Sequence, residues 1–163
     1  MGQSSLKSCL ISEEQAIAIY VAECRVLKLT AFWKVRRDTL ALCQKVLLEE
    51  KCHRLEVGAY VPMGTLFRFQ LWLSRIGGYI VGVILSFLPV SLSWRIHSWA
   101  EMQAASIYQA TIDHVGEREG AESLVECLKL AKTQETRHAQ HFQELILCPI
   151  LRPRKKTSVS SMR

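Results

Sequence analysis

The sequence predicts an all-α protein, and three observations carry that prediction. Apolar residues recur at spacings of three and four through most of the 163 residues, while strand signals are nearly absent. Gly58, Pro62-Met63-Gly64, Pro89, Gly116 and Gly120 punctuate the periodic stretches. One eight-residue pattern also occurs twice: Glu13-Glu14-Gln15-Ala16-Ile17-Ala18-Ile19-Tyr20 and Glu101-Met102-Gln103-Ala104-Ala105-Ser106-Ile107-Tyr108 agree at five positions.

Each element has its own justification. Ser12 with Gln15 three residues on forms a capping box behind Ile11, which predicts a first helix over about 12–30 with residues 1–11 as an N-terminal extension. A second helix, about 35–57, stops at Gly58. The third, about 66–88, is far more apolar, holds Gly77-Gly78 and Gly82, and ends at Pro89. A fourth over about 91–114 and a fifth over about 122–147 flank the turn between Gly116 and Gly120. Cys148-Pro149 closes the folded part, a domain over 12–148, and 149–163 reads as a basic disordered tail.

Composition narrows the function classes. The chain fits one domain with one hydrophobic core. Its net charge of +6 owes +5 to Arg152, Arg154, Lys155, Lys156 and Arg163, so the rest is nearly neutral and nucleic acid is not an expected partner. The six cysteines form no Cys-x-x-Cys pair, which points to a reducing compartment without a disulfide framework. The first residues carry one Lys and no long apolar or Arg-rich stretch, so neither a secretion signal nor a transit peptide is read there.

The two copies of the repeat are each followed by Glu-x-x-His: Glu50-Lys51-Cys52-His53 and Glu135-Thr136-Arg137-His138. With 13 Glu and 5 His in the chain, chance gives about 0.4 such matches, so one would mean little and two in the correct halves mean more. One Glu from each of two helices and Glu-x-x-His from each of two more is the ligand set of a carboxylate-bridged two-metal site in a four-helix bundle. Positions i and i+3 share a helix face, so carboxylate and imidazole reach one centre. Glu13 and Glu50 are equidistant from residue 31.5, and Glu101 and Glu135 from residue 118. Antiparallel pairs then bring all four carboxylates about 25 Å from their turns. The expected metal ligands are Glu13, Glu50, His53, Glu101, Glu135 and His138, a set that suits iron and manganese alike.

At these residues the chain resembles the demethoxyubiquinone hydroxylase family of ubiquinone biosynthesis, a di-iron carboxylate branch of the ferritin-like fold. The resemblance covers about residues 12–146: Glu13 with Ile19-Tyr20, Glu50-Lys51-x-His53, Ala100-Glu101 leading to Tyr108, and Glu135-x-x-His138, in that order. It implies a ferritin-like four-helix bundle and an O2-dependent monooxygenase with two iron ions held by the six ligands. The reaction implied is hydroxylation of the ring of a polyprenyl methoxy-benzoquinol, with electrons from the quinol itself or from NADH. Subunits of a ubiquinone-biosynthesis complex are implied partners. The implied location is peripheral, on the matrix side of the mitochondrial inner membrane or the cytoplasmic face of a bacterial membrane. Asp113 to Ala121 imitates the family's opening motif in the wrong place, and Glu117 stands only 18 residues before Glu135, so this stretch reads as a turn.

Other residues take plainer readings. Tyr20 and Tyr108 sit seven residues after their glutamates and point into the bundle, as core tyrosines with satisfied hydroxyls before any redox role; Tyr108 is kept as a catalytic candidate. His97 and His141 read as ordinary core or surface histidines, and Glu14, Glu23, Glu49 and Glu56 as solvated positions. Residues 76–94 carry no charge, but Pro89 cuts the run short of a span. The stretch 66–94 is therefore expected to lie in a membrane interface or line a channel for a polyprenyl tail. The structural alternative is that Gly78-x-x-x-Gly82 packs on a neighbouring helix. Two other functions compete: a ferritin-like iron oxidase or store, and a non-catalytic scaffold of the quinone-biosynthesis complex.

Overall fold

The computed structural model describes residues 2–30, 34–116 and 119–151, and its regular structure is five α-helices with no strand among the described residues. They are α1 (Gly2–Leu29), α2 (Lys34–Gly58), α3 (Thr65–Phe87), α4 (Val90–Val115) and α5 (Glu122–Leu151). The all-α prediction holds, with two corrected ends.

The helix α1 starts at Gly2 rather than Ser12, so residues 2–11 are part of the bundle and not an extension. Leu6, Cys9 and Leu10 continue the apolar stripe upstream and are buried against Val57, Val61, Phe67 and Leu71. Burying two leucines stabilises by roughly 3–6 kcal/mol, against about 1 kcal/mol for a cap, so the Ser12 capping signature loses. The helix α5 likewise runs through Cys148-Pro149 to Leu151. Residues 152–163, most of the expected tail, and Glu117 lie outside the described residues.

The helices α1 and α2 pack as an antiparallel pair, as do α4 and α5. Leu10 meets Gly58 at one end of the first pair, and Arg36 donates to Thr30 at the other. The two pairs face each other through α1–α4 and α2–α5, which makes a four-helix bundle. One apolar cluster, around Leu10, Val57 and Leu128, fills one end, and a second, around Leu27, Cys43 and Phe142, fills the other. The polar layer described below lies between them.

Against the outside of α1 lies α3. A Cβ on Gly78 would stand 2.6 Å from the Gln15 carbonyl oxygen, and one on Gly82 2.3 Å from that of Ile19, so backbone rests on backbone. The Gly-x-x-x-Gly packing is therefore present. The opposite face of α3 is left bare: Leu66, Phe69, Trp72, Ile80, Ile84 and Phe87 are exposed. Among the described residues α3 is the one helix long and apolar enough to cross a membrane by length and composition.

Candidate metal centre

Helical period turns six polar side chains inward, and the packing of four helices brings them together. On α1 the residues Leu6, Leu10, Glu13, Tyr20 and Leu27 are all buried, and Glu13 is the acidic one in this stripe. On α2 and α5 the i,i+3 pairs Glu50/His53 and Glu135/His138 are equally buried, and Glu101 faces them from α4. Glu13 meets Glu50 across the first pair of helices, and Glu101 meets Glu135 across the second.

The six residues form two groups that share members. Glu13, Glu50, His53 and Glu135 make one, and Glu50, Glu101, Glu135 and His138 the other; within each, one ligand atom per residue lies within 4.8 Å of all the rest. All six expected ligands are thus brought together, with Glu50 and Glu135 common to both groups. His53 Nδ1 stands 3.1 Å from Glu135 Oε1 and 3.8 Å from both Glu13 Oε2 and Glu50 Oε2. His138 Nδ1 stands 3.3 Å from Glu50 Oε1, 3.9 Å from Glu101 Oε2 and 4.0 Å from Glu135 Oε2.

The surrounding hydrogen bonds run crosswise between the helix pairs. The Tyr20 hydroxyl on α1 donates to Glu101 Oε1 on α4, and the Tyr108 hydroxyl on α4 donates to Glu13 Oε1 on α1. Both tyrosines are buried core residues with satisfied hydroxyls, as expected. The outer Nε2 of His53 meets Gln134 Oε1, and the outer Nε2 of His138 lies 2.5 Å from Glu49 Oε2. A ring proton kept on Nε2 by these contacts would leave each Nδ1 to face a cation in the centre.

The electrostatics follow from burying four carboxylates together. Burial, then Glu50 and Glu135, push Glu13 well above the usual carboxylate range, and burial with Glu50 and Glu135 does the same to Glu101. Burial opposes ionisation of Glu50 too, yet the imidazoles of His138 and His53 outweigh it and hold its pKa at about 2. Burial disfavours a charged His53, but Glu135, Glu50 and Glu13 raise it to about 12. His138 is raised by Glu50 and Glu49 against the same burial.

The donor set fits a pair of cations. Among the described residues eight buried side-chain atoms have no hydrogen-bond partner, and six of these are Glu13 Oε2, Glu50 Oε1, both oxygens of Glu135 and the Nδ1 atoms of His53 and His138. Even the 3.1 Å approach of His53 to Glu135 lacks hydrogen-bond geometry. Buried polar atoms without partners are rare and call for a ligand or an ion. Four carboxylates match the charge of two divalent cations, and carboxylate oxygen with imidazole nitrogen suits first-row metals. The two groups could hold metal ions.

A cavity of about 230 Å³ opens onto this layer between α1 and α4. Glu13, Glu50, Glu101 and Glu135 form its floor, and Ala16, Ile19, Ala100, Ala104 and Ile107 line its walls. Gln15 and Ile19, on which α3 rests, are also lining residues.

Three glutamates expected in solvent are placed otherwise, while Glu56 is exposed as expected. Glu14 is 1% exposed and accepts from Arg54 and Arg75. Glu23, also 1% exposed, lies 2.8 Å from His97 Nε2 and accepts from Ser93. The His97 ring is stacked between Tyr20 and Phe142, so this histidine props a ligand-holding tyrosine, whereas His141 stays partly exposed outside the cluster. Glu49 holds His138. Its signal was present in the sequence: an acceptor, Glu49 or Gln134, stands directly before each Glu-x-x-His.

Comparison of the chain with protein-family models, with curated proteins and with solved structures returns no match.

Proposed function

We propose that the protein is a ferritin-like di-iron monooxygenase that hydroxylates the ring of a polyprenyl methoxy-benzoquinol (demethoxyubiquinol) at a membrane surface. The observation that carries the reading is the layer of Glu13, Glu50, His53, Glu101, Glu135 and His138 under an apolar-walled cavity. Bound iron would supply the redox chemistry toward O2, with electrons from the quinol or NADH.

The chain's own residues do the rest. Glu50 and Glu135, common to both groups, would span the two metal positions, while His53 and His138 each serve one. Tyr108 and Tyr20 hold one oxygen of Glu13 and one of Glu101, leaving the other oxygen of each for the centre. At about 230 Å³ the cavity lies below the roughly 300–1,000 Å³ of sites that enclose a drug-sized ligand, which favours a single ring inside and a tail outside. The exposed apolar face of α3 offers such a tail, or the interface of a bilayer, an apolar surface.

Complementation of a strain blocked at the demethoxyquinone stage, with quinones identified by mass spectrometry, tests the reaction. Restored ubiquinone is the expected outcome; unchanged accumulation of the precursor would overturn it. Vesicle flotation separates this reading from a soluble iron oxidase or store, for which no lipid binding is expected. Anaerobic iron reconstitution separates it from a scaffold: two irons per chain are expected, and fewer than about one would favour the scaffold.

A further inference from the structure

The two ligand groups share Glu50 and Glu135 and differ only in Glu13 with His53 on one side and Glu101 with His138 on the other. The carboxylates are matched, since each accepts from one buried tyrosine hydroxyl. The imidazoles are not. The outer nitrogen of His138 meets a carboxylate, Glu49 Oε2, at 2.5 Å, whereas that of His53 meets the neutral amide oxygen of Gln134.

Both outer groups occupy the same slot, directly before the glutamate of the opposing Glu-x-x-His. The difference between them is therefore one of charge and not of placing. A carboxylate on the outer N–H makes the ring a stronger electron donor through its inner nitrogen, and such partners change metal affinity about 10–100-fold. Hydrogen bonds of this charge-assisted kind are also roughly twice as strong as neutral ones. Arg137, 2.9 Å from Glu49 Oε2, shares that oxygen, but its side chain is 47% exposed and its charge is screened by water.

We propose that Glu49 and Gln134 make the two metal positions unequal, so that the position built on His138 fills first and holds a divalent cation at least about tenfold more tightly than the one built on His53. Both are positioning residues, acting through the imidazoles they hold. The inference rests on the metal centre read above and adds an order of filling.

The test is anaerobic titration of the full chain with Co2+, followed by visible absorption and by calorimetry. Wild type is expected to fill in two steps separated by about tenfold or more. His53→Ala should keep the tighter step and His138→Ala should lose it. Glu49→Gln should merge the two steps by weakening the first, and Gln134→Glu should merge them by strengthening the second. That gain of affinity is not what a merely structural role would give. A single step for two ions in the wild type, or an unchanged ratio in both Glu49→Gln and Gln134→Glu, overturns the proposal while leaving the metal centre standing. No Co2+ binding by the wild type overturns both.

Discussion

Glu13 and Glu14 are neighbours in the chain and both are 1% exposed, yet they belong to two kinds of buried charge. About 100° of helical turn separates them, so Glu13 looks into the bundle and Glu14 toward α2 and α3. Glu14 is satisfied from within the protein, by Arg54 and by both nitrogens that Arg75 presents, at 2.8 and 3.1 Å. Glu13 receives one tyrosine hydroxyl, and its second oxygen has no hydrogen-bond partner, like most inner atoms of its layer. The contrast separates a clamp from a site: a clamp brings its own counter-charge, whereas a site leaves donors facing inward for something else to bind.

The largest effects should come from breaking the site side of that contrast. Glu135→Ala or His53→Ala is expected to abolish hydroxylation and to lower metal stoichiometry, with helical content by circular dichroism largely unchanged. Wild-type turnover by either variant would remove the site assignment.

Breaking the clamp should instead cost stability and leave metal stoichiometry alone. The double change Arg54→Ala, Arg75→Ala strands Glu14 as a buried charge, and about 3–5 kcal/mol should be lost in urea unfolding. Glu14→Gln should cost less, about 1–3 kcal/mol, because the two arginine side chains are 33% and 58% exposed and can turn to water.

The glycine seat of α3 sharpens the same side. Gly82→Ala puts a methyl into the Ile19 backbone and is expected to cost about 1–3 kcal/mol. Gly77→Ala, where nothing lies within 4 Å, should stabilise by about 0.5–1 kcal/mol. A melting temperature lowered by the first and raised by the second would confirm that α3 is held backbone to backbone. Tyr108→Phe is expected to cost about 1 kcal/mol, since it removes one buried hydrogen bond to Glu13; two ions should still bind.

The layer of buried Glu and His side chains is legible because its geometry is local. Glu-x-x-His fixes two donors on one helix face, and the repeat fixes their level, so Glu13, Glu50, Glu101 and Glu135 follow from counting along the chain. The clamps were not legible, for the opposite reason. Arg54 and Arg75 are 40 and 61 residues from Glu14, and a lone acid on a helix gives no sign of a distant partner. The start of α1 is not legible because the local capping signal at Ser12 says nothing of the burial of Leu6 and Leu10, which only the packing of α2 and α3 supplies.

The crossed hydrogen bonds around the centre also bear on how the protein comes apart. Tyr20 and Tyr108 reach across from one helix pair to the other, and so do the contacts of Gln134 with His53 and of Glu49 with His138. Neither pair completes its own ligands. Separating them would strand four polar contacts at once, a penalty that falls due together and grows when metal is bound. The polar layer therefore acts as an all-or-none latch between the halves, and the bundle is expected to melt in a single cooperative transition rather than one pair at a time.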